Sequence, residues 1–228
     1  MSIADNVKRV RAEIAEAAAR SGRAPGDVAL VAAAKRNPAE RVREAVLAGV
    51  DAVGENRVQE LTAKNSQGAY TGVPLHFIGH LQTNKVNSVV GVCSLIESAD
   101  SLRLLEAIQR RARALGVRQD VLLEVNIGGE AAKSGVMSGG LEPLLEFAAG
   151  SDGVRVLGLM AIPPISAPDG NVRYFFDRMN RLFIDIRAKK YDNVDMRVLS
   201  MGMSSSFVDA IHSGSNMVRV GTAIFGER

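Results

Sequence analysis

Apolar positions along this chain follow two rhythms. Ile3, Val7, Val10 and Ile14 stand three or four residues apart, the period of a helix with one buried face. Beyond that helix, short runs rich in β-branched residues alternate with longer stretches of helical spacing. The runs "VALVAAA", "DAVGE", "LHFIG", "CSLIES", "DVLLEVNI", "VRVLGLMAI", "MRVLS" and "NMVRVG" read as about eight strands, each followed by a turn or a helix except the last. Their continuous apolar character suits strands buried on both faces, as in a parallel sheet. Strands alternating with helices predict helical crossovers. Eight such units in 228 residues predict a closed (β/α)8 barrel rather than an open doubly wound sheet. Residues 1–228 are expected to form a single domain of this α/β class with an extra N-terminal helix; no linker, low-complexity segment or repeat interrupts it.

The intervening segments carry helix signals. In "NPAERVREAVLAGV", Asn37 is placed to cap, Pro38 suits the first helical position, Glu40 can reach back, and Gly49 marks the stop. Asn56 and Gln59 repeat the capping spacing. Leu102, Leu105, Ile108, Ala112 and Leu115 share one side of a further helix. Val172, Phe175, Phe176, Met179, Leu182, Phe183 and Ile186 recur at helical spacing and read as core rather than as a cofactor box.

Composition narrows the field. At 46% hydrophobic residues the chain can bury a sizeable core. Aromatics are 4% with no Trp, too few for base-stacking platforms. The excess of 28 basic over 25 acidic residues is only +3, and "RLLEAIQRRARALGVR" reads as a solvated helix face, so no nucleic-acid partner is expected. Cys93 is alone in an apolar run, which excludes an intramolecular disulfide and predicts a packed thiol. No segment reads as a signal peptide or reaches membrane-spanning length, so a cytoplasmic protein with no membrane partner is expected.

In such a barrel the chemistry gathers at the carboxyl ends of the strands. Lys35 is placed at the end of the first strand, Asn56 after the second, His76 on the third with Gly79 and His80 following, and Met160 at the end of the sixth. The loops after strands seven and eight contain Ser200, Gly202, Ser204, Gly221 and Thr222, whose amides and hydroxyls suit a phosphate. If Ser204 opens the helix "SSSFVDAIH", its amino end adds an anion site. Lys35 admits three readings: a snorkelling surface lysine, a salt-bridge partner, or a Schiff-base nucleophile. Desolvation by the apolar strand before it would lower its pKa and supply a neutral amine. A lysine with a phosphate cup serves a sugar-phosphate aldolase or pyridoxal phosphate equally well.

Other signals are weaker. His76 and His80 straddle a strand end and Gly79, which fixes no metal geometry and favours hydrogen-bonding roles. His212 reads as a helix-surface residue. Glu55 and Glu60 could form an acid/base pair, although caps and solvated faces fit them better. Lys133 to Gly135, "KSG", could attract an anion. No P-loop and no dinucleotide-binding glycine fingerprint is present.

The segments "LVAAAKRNPAERVREAVLAGVDAVGENRVQE", "HFIGHLQTNK", "EVNIGGEAAKSG", "GLMAIP" and "LSMGMSSSFVDAIHSGSNMVRVGTAIFG" together closely resemble, in order and over nearly the whole chain, the pyridoxal phosphate homeostasis protein family, also called the YggS or PROSC family. The resemblance implies a fold-type III barrel like that of the alanine racemase N-terminal domain, with pyridoxal 5'-phosphate (PLP) held as a Schiff base on Lys35. It places Asn56 beside the cofactor ring, Arg219 near the pyridine nitrogen, and His76 and Met160 along the pocket. Ser200, Ser204, Gly221 and Thr222 match the phosphate-binding region, and Met201 counts among the cofactor contacts. The sequence departs from the family at Ala34, often Ser, at Arg57, often Tyr, and at Ser205, commonly acidic.

The implied role is intracellular PLP (vitamin B6) and amino-acid homeostasis without strong turnover, with apo PLP-dependent enzymes as candidate recipients. An arginine stays protonated, so it donates to the ring nitrogen and leaves it a poorer electron sink. The alternative is a racemase-like enzyme. Racemases of this type add a second, β-rich domain and a catalytic tyrosine, whereas this chain ends after its eighth strand and has only Tyr70, Tyr174 and Tyr191. An aldolase would need acid/base partners that no residues supply convincingly. Nothing demands a second copy to complete the pocket, so a monomer is expected.

Overall fold

Eight short parallel strands close on one another in chain order in this computed structural model, which describes residues 1–164 and 171–226. The strands are β1 (Ala29–Ala33), β2 (Ala52–Glu55), β3 (Leu75–Phe77), β4 (Leu95–Ala99), β5 (Gln119–Glu124), β6 (Val154–Met160), β7 (Val194–Ser200) and β8 (Met217–Val220). Each falls within one of the eight apolar runs or overlaps it. The ring shuts where Ala29, Leu30, Val31 and Ala32 of β1 pair with Met217, Val218, Arg219 and Val220 of β8.

Two sets of side chains fill the barrel because successive strand residues face opposite ways. Val31, Ala52, Leu95, Leu122, Leu157, Met160 and Met217 form an inner cluster. Leu30, Ala32, Val53, Phe77, Ile96, Leu123, Leu199 and Val218 belong to the larger shell between strands and helices. That shell is covered by α2 (Ala39–Leu47), α3 (Val58–Ser66), α4 (Leu102–Leu115), α5 (Glu142–Ala149), α6 (Arg173–Lys189) and α7 (Phe207–His212). After β3 a 3-10 segment, Thr83–Ser88, replaces a long helix.

The N-terminal helix α1 (Ile3–Arg20) has a structural use. Strand β8 is followed by a single turn, α8 (Thr222–Phe225), where no helix was expected. Helix α1 packs against α2, α7 and α8 and so completes the outer ring. Asn6 Nδ2 donates to the Ile224 carbonyl at 2.9 Å and Arg9 Nη2 to the Ala223 carbonyl at 3.1 Å. Ile3, Val7, Val10 and Ile14 are buried as their spacing requires, each worth roughly 1.5–3 kcal/mol of apolar burial. Ser2 and Asp5 form a capping box that starts the helix.

Local caps differ from expectation. Asn37 does not cap α2; Pro38 stands at that position, and Asn37 Nδ2 instead donates to the Lys35 carbonyl at 3.2 Å. Glu40 reaches Arg43 rather than back to the cap, whereas Gly49, at φ +88°, follows the helix end as predicted. Arg57, not Asn56, precedes α3, with no side-chain cap. On α4, Leu105, Ile108 and Ala112 are buried, while Leu102 and Leu115 at its two ends are exposed. Val172, which precedes α6, and Leu182 on it are half-buried, and the other five residues of the predicted set are buried. Cys93 is buried, and burial pushes its thiol up to about 12.

Strand β6 carries one irregularity of consequence. Its register with β7 shifts between Val156 and Gly158, and Gly158 adopts φ +149°, a conformation that residues with a Cβ rarely enter. A Cβ there would lie 1.8 Å from the Val198 carbonyl oxygen. Gly158→Ala is therefore expected to lower the unfolding free energy by more than about 2 kcal/mol, measured by urea denaturation.

Candidate functional site

The carboxyl-end layer of the barrel interior is polar where the layers below it are apolar. His76, Glu97, Glu124, Ser200 and Arg219 are all buried strand residues in this layer. They alternate with outward-facing Leu75, Ile96, Leu123, Leu199 and Val218 of the outer shell. Glu97 is at the centre and is fully buried. His76 Nδ1 lies 2.8 Å from its Oε1, and because a carboxylate only accepts, the ring donates. Ser200 Oγ donates to Glu97 Oε2 at 2.6 Å and accepts from Arg219 Nη1 at 2.5 Å. Arg219 Nη2 donates to the Ala161 carbonyl at 3.0 Å, and its Nη1 is 3.7 Å from Glu97.

The electrostatics of this layer are internally balanced. Burial alone would raise the Glu97 carboxyl, but the His76 hydrogen bond and charge, Arg219 and Ser200 outweigh it and hold the carboxyl below its ordinary value. Burial lowers the Arg219 guanidinium, and the Glu97 and Glu124 carboxylates oppose that shift. Burial raises Glu124, against a hydrogen bond from Ser134 at 3.0 Å.

Lys35 lies two residues beyond the end of β1, in the turn 35–36 at the mouth. The strand stops at Ala33, so Lys35 clears the apolar layers and is exposed. It nevertheless stands beside the loop from β8, because β8 pairs with β1. A Cβ at Gly221 would be 3.4 Å from the Ala33 carbonyl oxygen. There Ser204 Oγ, reaching over from the loop after β7, accepts from the Gly221 amide at 3.1 Å and the Ala223 amide at 3.3 Å. Two backbone N–H groups thus converge where an oxygen acceptor sits. Ser204 does not open a helix as expected: α7 begins at Phe207, and Ser204 lies in the preceding turn. Thr222 is exposed on the rim, and Met201 packs into the outer shell.

Asn56 follows β2, and its Oδ1 is buried without a hydrogen-bond partner. Gly79 allows the chain leaving β3 to pass close by, since a Cβ there would be 2.1 Å from the Asn56 carbonyl oxygen. Beside them opens a groove of about 470 Å³, lined by Asn56, Arg57, Glu60, His80 and Lys85 among others. Arg57, one departure from the family pattern, thus brings a cation to this groove. Of the other two departures, Ala34 is buried and Ser205 exposed.

Several sequence readings change. Glu55 is neither a cap nor solvated: it is fully buried beneath α3, where its Oε1 accepts from Lys64 Nζ at 2.7 Å and Tyr70 OH at 3.0 Å. Burial raises its carboxyl, with Lys64 and Tyr70 opposing. His212 is half-buried with an unpartnered Nε2, not a surface residue. His80 lies 3.4 Å from Asp100, and Lys133 pairs with Glu130 at 2.6 Å. Among the described residues no group of three His, Cys, Asp or Glu could hold a metal, and no helix is long and apolar enough to cross a membrane. Glu97 and Lys64 were not singled out from the sequence. The glutamate in "CSLIES" carried a signal, a charge inside a strand otherwise buried on both faces; Lys64 carried only its i,i+4 spacing from Glu60.

The chain is a closed parallel barrel, and the family model described as the alanine racemase N-terminal domain matches its residues 3–228. An alanine racemase of Clostridium difficile 630 has the same fold, with a TM-score of 0.76 at 15% identity over 98% of this chain and 57% of that one. Similarity to the pyridoxal phosphate homeostasis protein of Aquifex aeolicus is closer, at 41% identity over 100% of this chain and 99% of the relative. The chain belongs to the pyridoxal phosphate homeostasis protein family. Among solved structures, PipY of Synechococcus elongatus PCC7942 with PLP bound matches with a TM-score of 0.81 at 31% identity, over 93% of this chain and 100% of that one.

Because the Glu97 carboxyl is lowered in the folded state, its contribution is present at neutral pH and is lost as pH falls below the ordinary glutamate value of about 4.3. Glu97→Gln is expected to cost about 1–3 kcal/mol at pH 7 and to flatten the loss of stability below that value. Urea unfolding at stepped pH measures both.

Proposed function

We propose that this protein binds PLP at the barrel mouth, with Lys35 holding the aldehyde end as a Schiff base, and serves to store or buffer the cofactor in vitamin B6 homeostasis. One observation carries the reading: the β1–β8 pairing puts the turn bearing Lys35 next to converging amides of Gly221 and Ala223. An amine beside an anion cup suits a small phosphorylated aldehyde. The residues fit the rest of the molecule as well. Asn56 Oδ1 is a buried acceptor awaiting a donor, and Arg219 is a cation held by Ser200 and Ala161. Ser200, Ser204, Gly221 and Thr222 would surround the phosphate, Met201 would stand beside them with its side chain in the outer shell, and His76 and Met160 would line the floor. The names of the relatives and the PLP-bound PipY structure support the same ligand.

Bound PLP supplies an electron-poor ring that can stabilise negative charge on an attached carbon. The residues here restrain that capacity. Arg219 has N–H donors and no acceptor, so it donates to a ring nitrogen and takes no proton from it. Ser200 and Glu97 fix its orientation from below. A catalytic tyrosine is not offered by the residues that could supply one: Tyr70 bonds Glu55 outside the barrel, Tyr191 bonds Glu142, and Tyr174 is exposed on α6. The reading is therefore of a carrier rather than a racemase. It has one domain acting as a monomer in the cytoplasm, with apo PLP-dependent enzymes as recipients.

Borohydride reduction of the PLP-loaded protein, followed by peptide mapping, is expected to find the pyridoxyl group on Lys35, and Lys35→Ala to abolish trapping. Modification centred on another lysine would overturn the assignment. Exchange of an amino acid's α-hydrogen with deuterated solvent is expected to be negligible; rapid exchange would establish an enzyme instead.

A further inference from the structure

The main chain on both sides of Lys35 is gripped by one charged cluster. The Ala34 carbonyl accepts from Lys64 Nζ at 2.9 Å, and the Arg36 amide donates to Glu60 Oε2 at 2.6 Å. Both anchors belong to α3, one helical turn apart, and they bond each other at 3.2 Å. Lys64 is 7% exposed and is held from behind by Glu55, itself tied to Tyr70.

A buried ion pair is a weak source of stability. Taking a lysine and a glutamate out of water is costly, and well-packed apolar residues usually do as well or better. The cluster instead serves a place where direction matters. Arg36 adopts φ +60°, uncommon for a residue with a side chain. The chain there turns sharply between β1 and α2, and a charged donor and a charged acceptor fix the two peptide groups that flank Lys35.

We propose that Lys64 and Glu60 are positioning residues that clamp the Lys35 turn and set the direction from which its amine meets the aldehyde. This rests on the reading of Lys35 as the PLP-holding lysine. In that step the lone pair of the neutral Nζ bonds the aldehyde carbon, a carbon–nitrogen double bond forms, and the aldehyde oxygen leaves as water with both amine hydrogens. The phosphate end is restrained between the loops of Ser204 and Gly221, so the carbon's position is already set. A flexible side chain reaches a fixed point efficiently only when its root is also fixed. The clamp supplies that fixed root.

The test compares PLP with pyridoxine 5'-phosphate, which has an alcohol in place of the aldehyde and forms no bond to Lys35. Glu60→Ala removes the Arg36 anchor at a half-buried surface position. Lys64→Met with Glu55→Gln removes the other anchor without stranding a buried carboxylate. In both, PLP affinity is expected to fall about tenfold while pyridoxine 5'-phosphate affinity stays within about twofold of wild type. Glu60→Gln keeps an acceptor oxygen for the Arg36 amide and is expected to restore PLP binding. Equal losses for both ligands would show a general structural role and overturn the clamp, as would unchanged PLP affinity in Glu60→Ala. If the double variant does not fold, Glu60→Ala decides alone. Failure of the wild-type protein to trap PLP on Lys35 overturns the binding reading itself, before any variant is compared.

Discussion

Barrel closure between β8 and β1 is the constraint on which the site depends. These strands are the last and first of the barrel, and nearly the whole chain separates them. Their pairing brings the turn bearing Lys35 beside the loop bearing Gly221. No local interaction could do this. The helix α1 reinforces the closure from outside, because it covers the place where α8 is only one turn long and bonds its carbonyls.

Buried charge does two kinds of work around that closure. Inside the barrel, Glu97 organises His76, Ser200 and Arg219 into one connected network on four strands, β4, β3, β7 and β8. Each polar group there satisfies another, as a low-dielectric interior requires. Outside the barrel, Glu55, Lys64, Glu60 and Tyr70 join α3 to the ends of β1 and β2. The first network fixes a buried cation, Arg219, within the barrel, and the second holds the main chain on either side of Lys35.

Much of the architecture was legible in the chain because it follows from periodicity. All eight strands, the N-terminal helix and the core stripe of α6 appear as apolar repeats, and repeats are a property of neighbours in sequence. The candidate positions at the mouth were legible for the same reason: once strands are placed, their carboxyl ends are known. Caps were less legible. Asn37 and Asn56 carry capping chemistry, yet Asn37 turns to the Lys35 carbonyl and Asn56 leaves a buried acceptor open. The exposure of Lys35 agrees with one of its three readings, a surface lysine, because β1 ends at Ala33, one residue before its apolar run does.

The sequence by itself determined the order of elements, the parallel sheet they must form, and a lysine and a hydroxyl-rich loop at strand ends. Tertiary structure alone decided which of these meet. Glu97 and Ser200 are 103 residues apart, and Lys64 finds Ala34 across 30. Such partners leave no local pattern, because what selects them is the low dielectric of the packed interior, where an unpaired charge is too costly to leave alone. That environment exists only once the barrel has closed.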